Sequence, residues 1–330
     1  MQLLDQFHRK INYLRVSVTD RCDLRCVYCM KEKMNFLPKK EILSFEEIER
    51  LCDNFISLGV KKIRLTGGEP LVRKNIIDLI KNLNSKKMHT NLEEITLTTN
   101  GTLLSNFAKD LKINGINRIN VSLDTIHPKK YSKITRFGDL RKVVKGIEEA
   151  LKNNIQVKIN TVVFKNFNEN ELIDLIEWAN SKDIDLTFIE VIPMEDTDIS
   201  RDLQFVPLDS IFKQLNKRYN FYISSHNTGG PSKYYESKIL KNKIGFITPL
   251  TNNFCDNCNR VRITSTGKLY MCLGQNDFVD FREILRNDYS DDYIKNKIRF
   301  ALSIKPKRHD FLITPNSKPY MKRHMNVTGG

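Results

Sequence analysis

Short runs in which apolar and polar residues alternate recur along the first two thirds of the chain, with helical spacing between them. Such runs predict strands at 12–18, 60–66, 94–100, 117–123, 156–164 and 185–192, and the first five alternate apolar and polar at period two. The clearest helix lies at 44–58. Ser44 and Glu47 make a capping box, Phe45, Ile48, Leu51, Cys52, Phe55 and Leu58 form one apolar stripe, and Gly59 can end it. Further helices are expected near 102–113, 139–153 and 169–181. Six strand-then-helix repeats predict an α/β fold with a parallel sheet that curls toward a partial (βα)6 TIM-like barrel.

The faces of these strands carry a second signal. Parallel strands covered by helices are normally apolar on both faces. Here Arg15 and Ser17 oppose Leu14, Val16 and Val18, and Lys62 and Arg64 oppose Ile63 and Leu65. Thr96 and Thr98, then Asn120, Ser122 and Asp124, then Lys158 and Asn160 continue the polar series. Either these faces line a barrel interior or the sheet is antiparallel with one wet face. A cationic interior is unfavourable without a compensating anion, so the barrel reading points to a phosphate-bearing substrate met by Arg15, Lys62, Arg64 and Lys158.

Cysteine spacing adds chemistry. Cys22, Cys26 and Cys29 form Cx3CxxC just after the first strand, where a parallel barrel places its active-site loops. Three soft thiolates suit a 4Fe-4S cube with one iron left open for a cofactor; zinc with a distant fourth ligand is the alternative. Cys255, Cys258 and Cys272 form a second triplet, again short of the four ligands of a closed zinc site. Arg260 and Arg262 share one face of the segment that follows, either as a solvated basic strand or as a grip on an anion. The seventh cysteine, Cys52, reads as a core thiol, and Trp178 as a packing residue. His8, His89, His127, His226, His309 and His324 lack ligand spacing and are expected in surface or incidental roles.

Composition sets the compartment but not the partner. Seven cysteines in clusters fit thiolate ligands in a reducing compartment, and with no signal peptide or membrane-length apolar run the cytoplasm is expected. A net charge of +15 admits nucleic acid, anionic membrane or polyphosphate alike.

Cx3CxxC with an aromatic residue, Tyr28, before its last cysteine resembles the signature of the radical S-adenosylmethionine (radical SAM) superfamily. That resemblance implies a partial (βα)6 barrel whose open iron chelates S-adenosylmethionine, which electron transfer cleaves to a 5′-deoxyadenosyl radical. "TGGEP" at 66–70 resembles the superfamily's GGE motif, which implies that Gly67, Gly68 and Glu69 hold the methionyl ammonium, with Ser122 and Ile192 as further contacts.

The two cysteine triplets, "CNRVR" and the ending "MNVTGG" together resemble the GTP 3′,8-cyclase family of molybdenum cofactor biosynthesis, from about residue 10 to Gly330. This implies two 4Fe-4S clusters, a barrel at 1–220, and a C-terminal region at 221–330 carrying the second cluster. It also implies hydrogen abstraction from the ribose 3′ carbon of GTP, followed by attack on guanine carbon 8. By position, Arg15, Arg64, Thr98, Lys158, Arg260 and Arg262 become GTP contacts, Lys62 joins them by strand periodicity, and Gly329 and Gly330 reach the active site. Expected partners are a reductase or flavodoxin-type electron donor and a downstream cyclic pyranopterin monophosphate synthase, with no membrane and no nucleic acid; a homodimer is left open. Thr187 stands where the family commonly has arginine and Ile192 where it has methionine, which leaves one phosphate contact without its residue. A radical SAM peptide-modifying enzyme and a basic, nucleic-acid-binding zinc protein are the competing readings.

Overall fold

The computed structural model describes residues 2–194, 204–287, 289–311, 313, 321 and 323–329. Its centre is a parallel sheet built from the six expected strands: β1 (Tyr13–Ser17), β2 (Lys62–Thr66), β3 (Glu94–Thr99), β4 (Arg118–Ser122), β5 (Gln156–Val163) and β6 (Asp185–Glu190). They pair in sequence order, each with the next. The antiparallel alternative for this part of the chain is therefore excluded.

Helices fill the connections, as the right-handed crossover of parallel strands requires. They are α1 (Phe45–Ser57), α2 (Ile76–Ser85), α3 (Leu104–Ile113), α4 (Pro128–Thr135), α5 (Leu140–Lys152) and α6 (Leu172–Ser181), followed by α7 (Leu208–Tyr219). The expected box caps α1: Ser44 accepts from the Glu47 N–H while Glu47 accepts from the Ser44 N–H at 2.6 Å. Ile48, Leu51, Cys52 and Phe55 then bury the stripe against the outer face of the sheet. Trp178 packs half-exposed against the same core, as expected.

The C-terminal region extends this sheet at both ends. On one side β9 (Ile244–Ile247) lies parallel to β6, with β8 (Lys233–Glu236) and β7 (Tyr222–Ile223) antiparallel beyond it. On the other, β10 (Arg260–Ile263) lies parallel to β1, with β11 (Lys268–Tyr270) and β12 (Phe278–Asp280) antiparallel beyond it. The result is one twelve-stranded sheet, a partial barrel whose open ends are finished by the same late segment. Among the described residues three helices follow: α8 (Arg282–Arg286), α9 (Asp291–Ser303) and the short α10 (Met325–Thr328).

Cys52 is fully buried among α1's apolar residues, and burial pushes its thiol well above the usual range. Cys52→Ser, which leaves a hydroxyl in that position, should lower stability by about 1–3 kcal/mol in urea unfolding. A destabilisation near zero would show that the site admits water.

Candidate functional site

The polar faces of β1–β5 line a cavity of about 300 Å³. Strand register puts three arginines on one rung across it: Arg262 of β10 beside Arg15 of β1, and Arg15 beside Arg64 of β2. Adjacent strands lie about 4.8 Å apart, so these cations are near neighbours. Arg64 donates to the Tyr13 hydroxyl and, at 3.0 Å, to Thr98 Oγ1. Arg15 has a buried Nε with no hydrogen-bond partner. Burial, followed by the charge of Arg262, holds Arg15 well below the usual guanidinium range. Burial alone would push the Tyr13 phenol up, yet Arg64, Arg15 and Lys62 together bring it down to about 7.

Lys158 enters from β5, its ammonium 3.1 Å from the Tyr234 hydroxyl. Burial, then Arg64 and Arg118, hold it down at about 7. Thr98, Arg260, Asn120 and Asn160 also line the cavity. Lys62 does not. Its ammonium is taken by Glu94 at 2.5 Å and by the Thr228 carbonyl at 2.6 Å. Strand periodicity placed Lys62 on the correct face, level with Tyr13 and Arg260, which do line the cavity, but Glu94 and the Thr228 carbonyl draw its ammonium aside. Thr187 is buried, its hydroxyl 3.5 Å from that of Ser232.

One cysteine triplet lies at each end of the parallel strands. Cys22, Cys26 and Cys29 occupy the loop leaving the end of β1, and the glycine turn after β2 packs against that loop. Gly68 N–H donates to the Thr19 carbonyl and Glu69 N–H to the Arg21 carbonyl, both at 2.8 Å. A Cβ on Gly68 would stand 2.2 Å from the Arg21 carbonyl oxygen, so only glycine allows this approach.

Glu69 is buried behind the lining rather than in it. It accepts from Thr99 Oγ1 at 2.8 Å and from the Asn100 and Leu71 N–H groups, while burial raises its carboxyl to about 7. Tyr28 donates to Asp124 at 2.8 Å and sets its ring 5.0 Å from that of Phe164. Gly67, Ser122 and Ile192 also line the cavity.

Cys255 and Cys258 immediately precede β10, and Cys272 follows β11, which runs back antiparallel. This second triplet therefore lies at the starting ends of the parallel strands, about 13 Å along β1 from the level where the first loop departs. Both triplets line the same cavity, and none of the seven cysteines is in a disulfide. Burial, then its neighbours Cys29 and Cys22, push Cys26 well above the usual thiol range. A triplet of soft thiol ligands falls one short of a closed four-ligand zinc site, and the donor set fits a three-cysteine iron-sulfur cube at each end.

The tail closes on this site. Gly329 lies at φ +69°, and a Cβ there would stand 2.4 Å from Thr66 Cγ2. Its carbonyl accepts from Arg262 at 2.9 Å. Within α10, Met325 N–H donates to the Cys29 carbonyl at 3.3 Å and Asn326 to the Asp20 carbonyl at 3.0 Å. Gly330 lies outside the described residues.

Sequence reasoning missed several lining residues. Tyr13 shares the period-two face with Arg15 and was legible on that ground. Asn100, with its amide 3.7 Å from Cys22 Sγ, carried no such signal. His309, expected at the surface, lines the cavity beside Phe311 with ring centroids 4.5 Å apart. No helix among the described residues is long and apolar enough to cross a membrane.

Comparison with known proteins agrees over nearly the whole chain. The radical SAM superfamily model matches residues 16–179, and the Molybdenum Cofactor Synthesis C model matches residues 184–311. The chain is 51% identical over 329 residues to a GTP 3′,8-cyclase of Brucella ovis, covering 99% of this chain and 96% of the relative. It is likewise 51% identical over 329 residues to a GTP 3′,8-cyclase of Nitrobacter winogradskyi, covering 100% of this chain and 96% of that one. Among solved structures, Streptococcus suis SuiB bound to its precursor peptide SuiA superposes with a TM-score of 0.61 at 16% identity. That match covers 89% of this chain and 68% of SuiB. anSMEcpe with bound AdoMet gives 0.52 at 20% identity, covering 63% of this chain and 60% of that one. At such identities these two structures speak for the fold alone.

The buried cations make a stability prediction. With its folded pKa near 7 against an ordinary value of 10.5, Lys158 opposes folding in its charged form, and the penalty grows as pH falls from 10.5 to about 7. Lys158→Met should therefore raise the melting temperature of the ligand-free protein by several degrees near pH 7, and the gain should shrink by pH 10. An equal gain at both values would refute the electrostatic cause.

Proposed function

The chain belongs to the GTP 3′,8-cyclase family of the radical SAM superfamily, and we propose that it converts GTP to 3′,8-cyclo-7,8-dihydro-GTP, the first step of molybdenum cofactor biosynthesis. The observation that carries this reading is the rung of three arginines between two cysteine triplets that open on one cavity. A nucleoside triphosphate supplies the anion that the rung lacks and is long enough to reach toward both ends.

In this reading Cys22, Cys26 and Cys29 hold one 4Fe-4S cluster and Cys255, Cys258 and Cys272 a second. The first cluster with S-adenosylmethionine supplies a 5′-deoxyadenosyl radical. The protein's own part is to bind, orient and shield. Arg15, Arg64, Arg260, Arg262 and Lys158 hold the nucleotide's phosphates and purine, and Thr98 fixes Arg64. Gly67, Gly68, Ser122, Tyr28 and Ile192 shape the cofactor's end, and Glu69 behind them supplies the counter-charge for its ammonium. Gly329 acts beside Arg262, and the family resemblance makes Gly330 its companion in the reaction. Lys62, held by Glu94, braces the cavity floor rather than touching phosphate. The same reading takes a reductase or flavodoxin-type protein as electron donor, a cyclic pyranopterin monophosphate synthase as the next enzyme, a cytoplasmic setting, and a homodimer as the candidate assembly.

With deuterium at the ribose 3′ position of GTP, the label should appear in 5′-deoxyadenosine. Transfer from any other ribose position would refute the assignment. Removal of the last two glycines tests the tail separately. S-adenosylmethionine cleavage and both clusters should survive, while the cyclised nucleotide falls at least tenfold, as expected when an interaction made late in the reaction is lost. Unchanged product formation would make the tail a bystander.

A further inference from the structure

Lys305, in the segment after α9, is among the largest fully buried side chains, with 1% of its surface exposed. Its ammonium donates to the Arg260 carbonyl at 3.2 Å and to the Met271 carbonyl, and its third near neighbour is Cys258 Sγ at 3.7 Å. A lysine has three N–H groups, and these three acceptors use all of them. All three belong to the second cysteine triplet or its flanks: Cys258 itself, Arg260 two residues on, and Met271 just before Cys272.

An ammonium removed from water requires a nearby negative charge. Among the described residues, no carboxylate forms an ion pair with Lys305. Arg9 makes the contrast. It too grips this region, donating to the Cys255 carbonyl at 2.8 Å and to the carbonyls of Pro306 and Lys307, but its charge is met by Asp5 at 2.6 Å. Lys305 faces sulfur instead. A cationic N–H aimed at a ligand sulfur draws electron density from it and favours the cluster's more negative, reduced form.

We infer that Lys305 is a positioning residue for the second iron-sulfur cluster, its ammonium holding Cys258 in place and raising the cluster's reduction potential. This rests on the proposed second cluster. The two ideas separate in a chain carrying Cys22→Ala, Cys26→Ala and Cys29→Ala, where only the second triplet can bind iron. If that chain takes up no iron-sulfur cluster under anaerobic reconstitution, the reading of the site fails and the inference fails with it.

Given a cluster there, an EPR-monitored redox titration of the full chain with both clusters decides the inference. Lys305→Met, neutral and of similar length, should move the second cluster's midpoint to a more negative potential and leave the first unchanged. Lys305→Gln, which keeps an N–H donor without the charge, should fall between. An unmoved midpoint in a loaded, cooperatively melting Lys305→Met protein would overturn it. If neither variant folds, the unsubstituted protein labelled with 15N-lysine serves: the reduced second cluster should show hyperfine coupling to one lysine nitrogen, and its absence would equally overturn the inference.

Discussion

Three guanidinium groups on one rung of a sheet make a constraint that the rest of the architecture answers. Arg262, Arg15 and Arg64 sit on adjacent strands of the cavity wall, and Lys158 faces the same space. Like charges at this spacing in a partly dry interior repel, and only part of that repulsion is relieved internally. Tyr13 and Thr98 take bonds from Arg64, and the tail carbonyl takes one from Arg262. Arg15 keeps a buried donor unpaired. Such a wall is stable because a large apolar core surrounds it, and it gains most when an anion of several charges enters.

The rung exists only because the barrel is incomplete. Six strand-helix units leave β1 and β6 without outer neighbours, and the C-terminal region supplies one to each: β10 beside β1, β9 beside β6. The strand that carries Arg260 and Arg262 is therefore also the one that places Cys258 at the starting end of the sheet. The arginine pair and the second cysteine triplet come from one continuous segment, so their separation is set by the rise of the strand rather than by loop geometry. A substrate held by the arginines is held at a defined distance from both triplets.

Most of this frame was legible because the signals were local. Local strand patterns, alternating at period two in the first five, located all six central strands to within a residue or two, and Ser44 with Glu47 located the start of α1. The polar strand faces foretold the cavity, because alternation in a buried parallel strand has few other causes. What escaped depends on contacts between distant residues. Lys62 has the same periodicity as Arg64, yet Glu94 on the next strand takes its charge, and no pattern within β2 records that. His309 lies in a polar stretch and still lines the cavity, because packing against Phe311 and Gly274 carries it inward. β9, β11 and β12 have three or four residues each, too short for periodicity to distinguish from loop.

The tail shows how two ends of a barrel can be made to sense each other. α10 is bonded to the first cysteine loop at Cys29 and Asp20, and one turn later Gly329 is bonded to Arg262 of the rung. Any anion that draws Arg262 toward itself competes with the glycine carbonyl. Any shift of the cysteine loop moves the helix that presents this carbonyl. Glycine is required where the tail crosses Thr66, since a side chain would collide with the end of β2. A few residues at the end of the chain thus tie the first cysteine loop to the cations between the two triplets. This accounts for a buried, sterically demanding position at Gly329, where a tail would ordinarily fray.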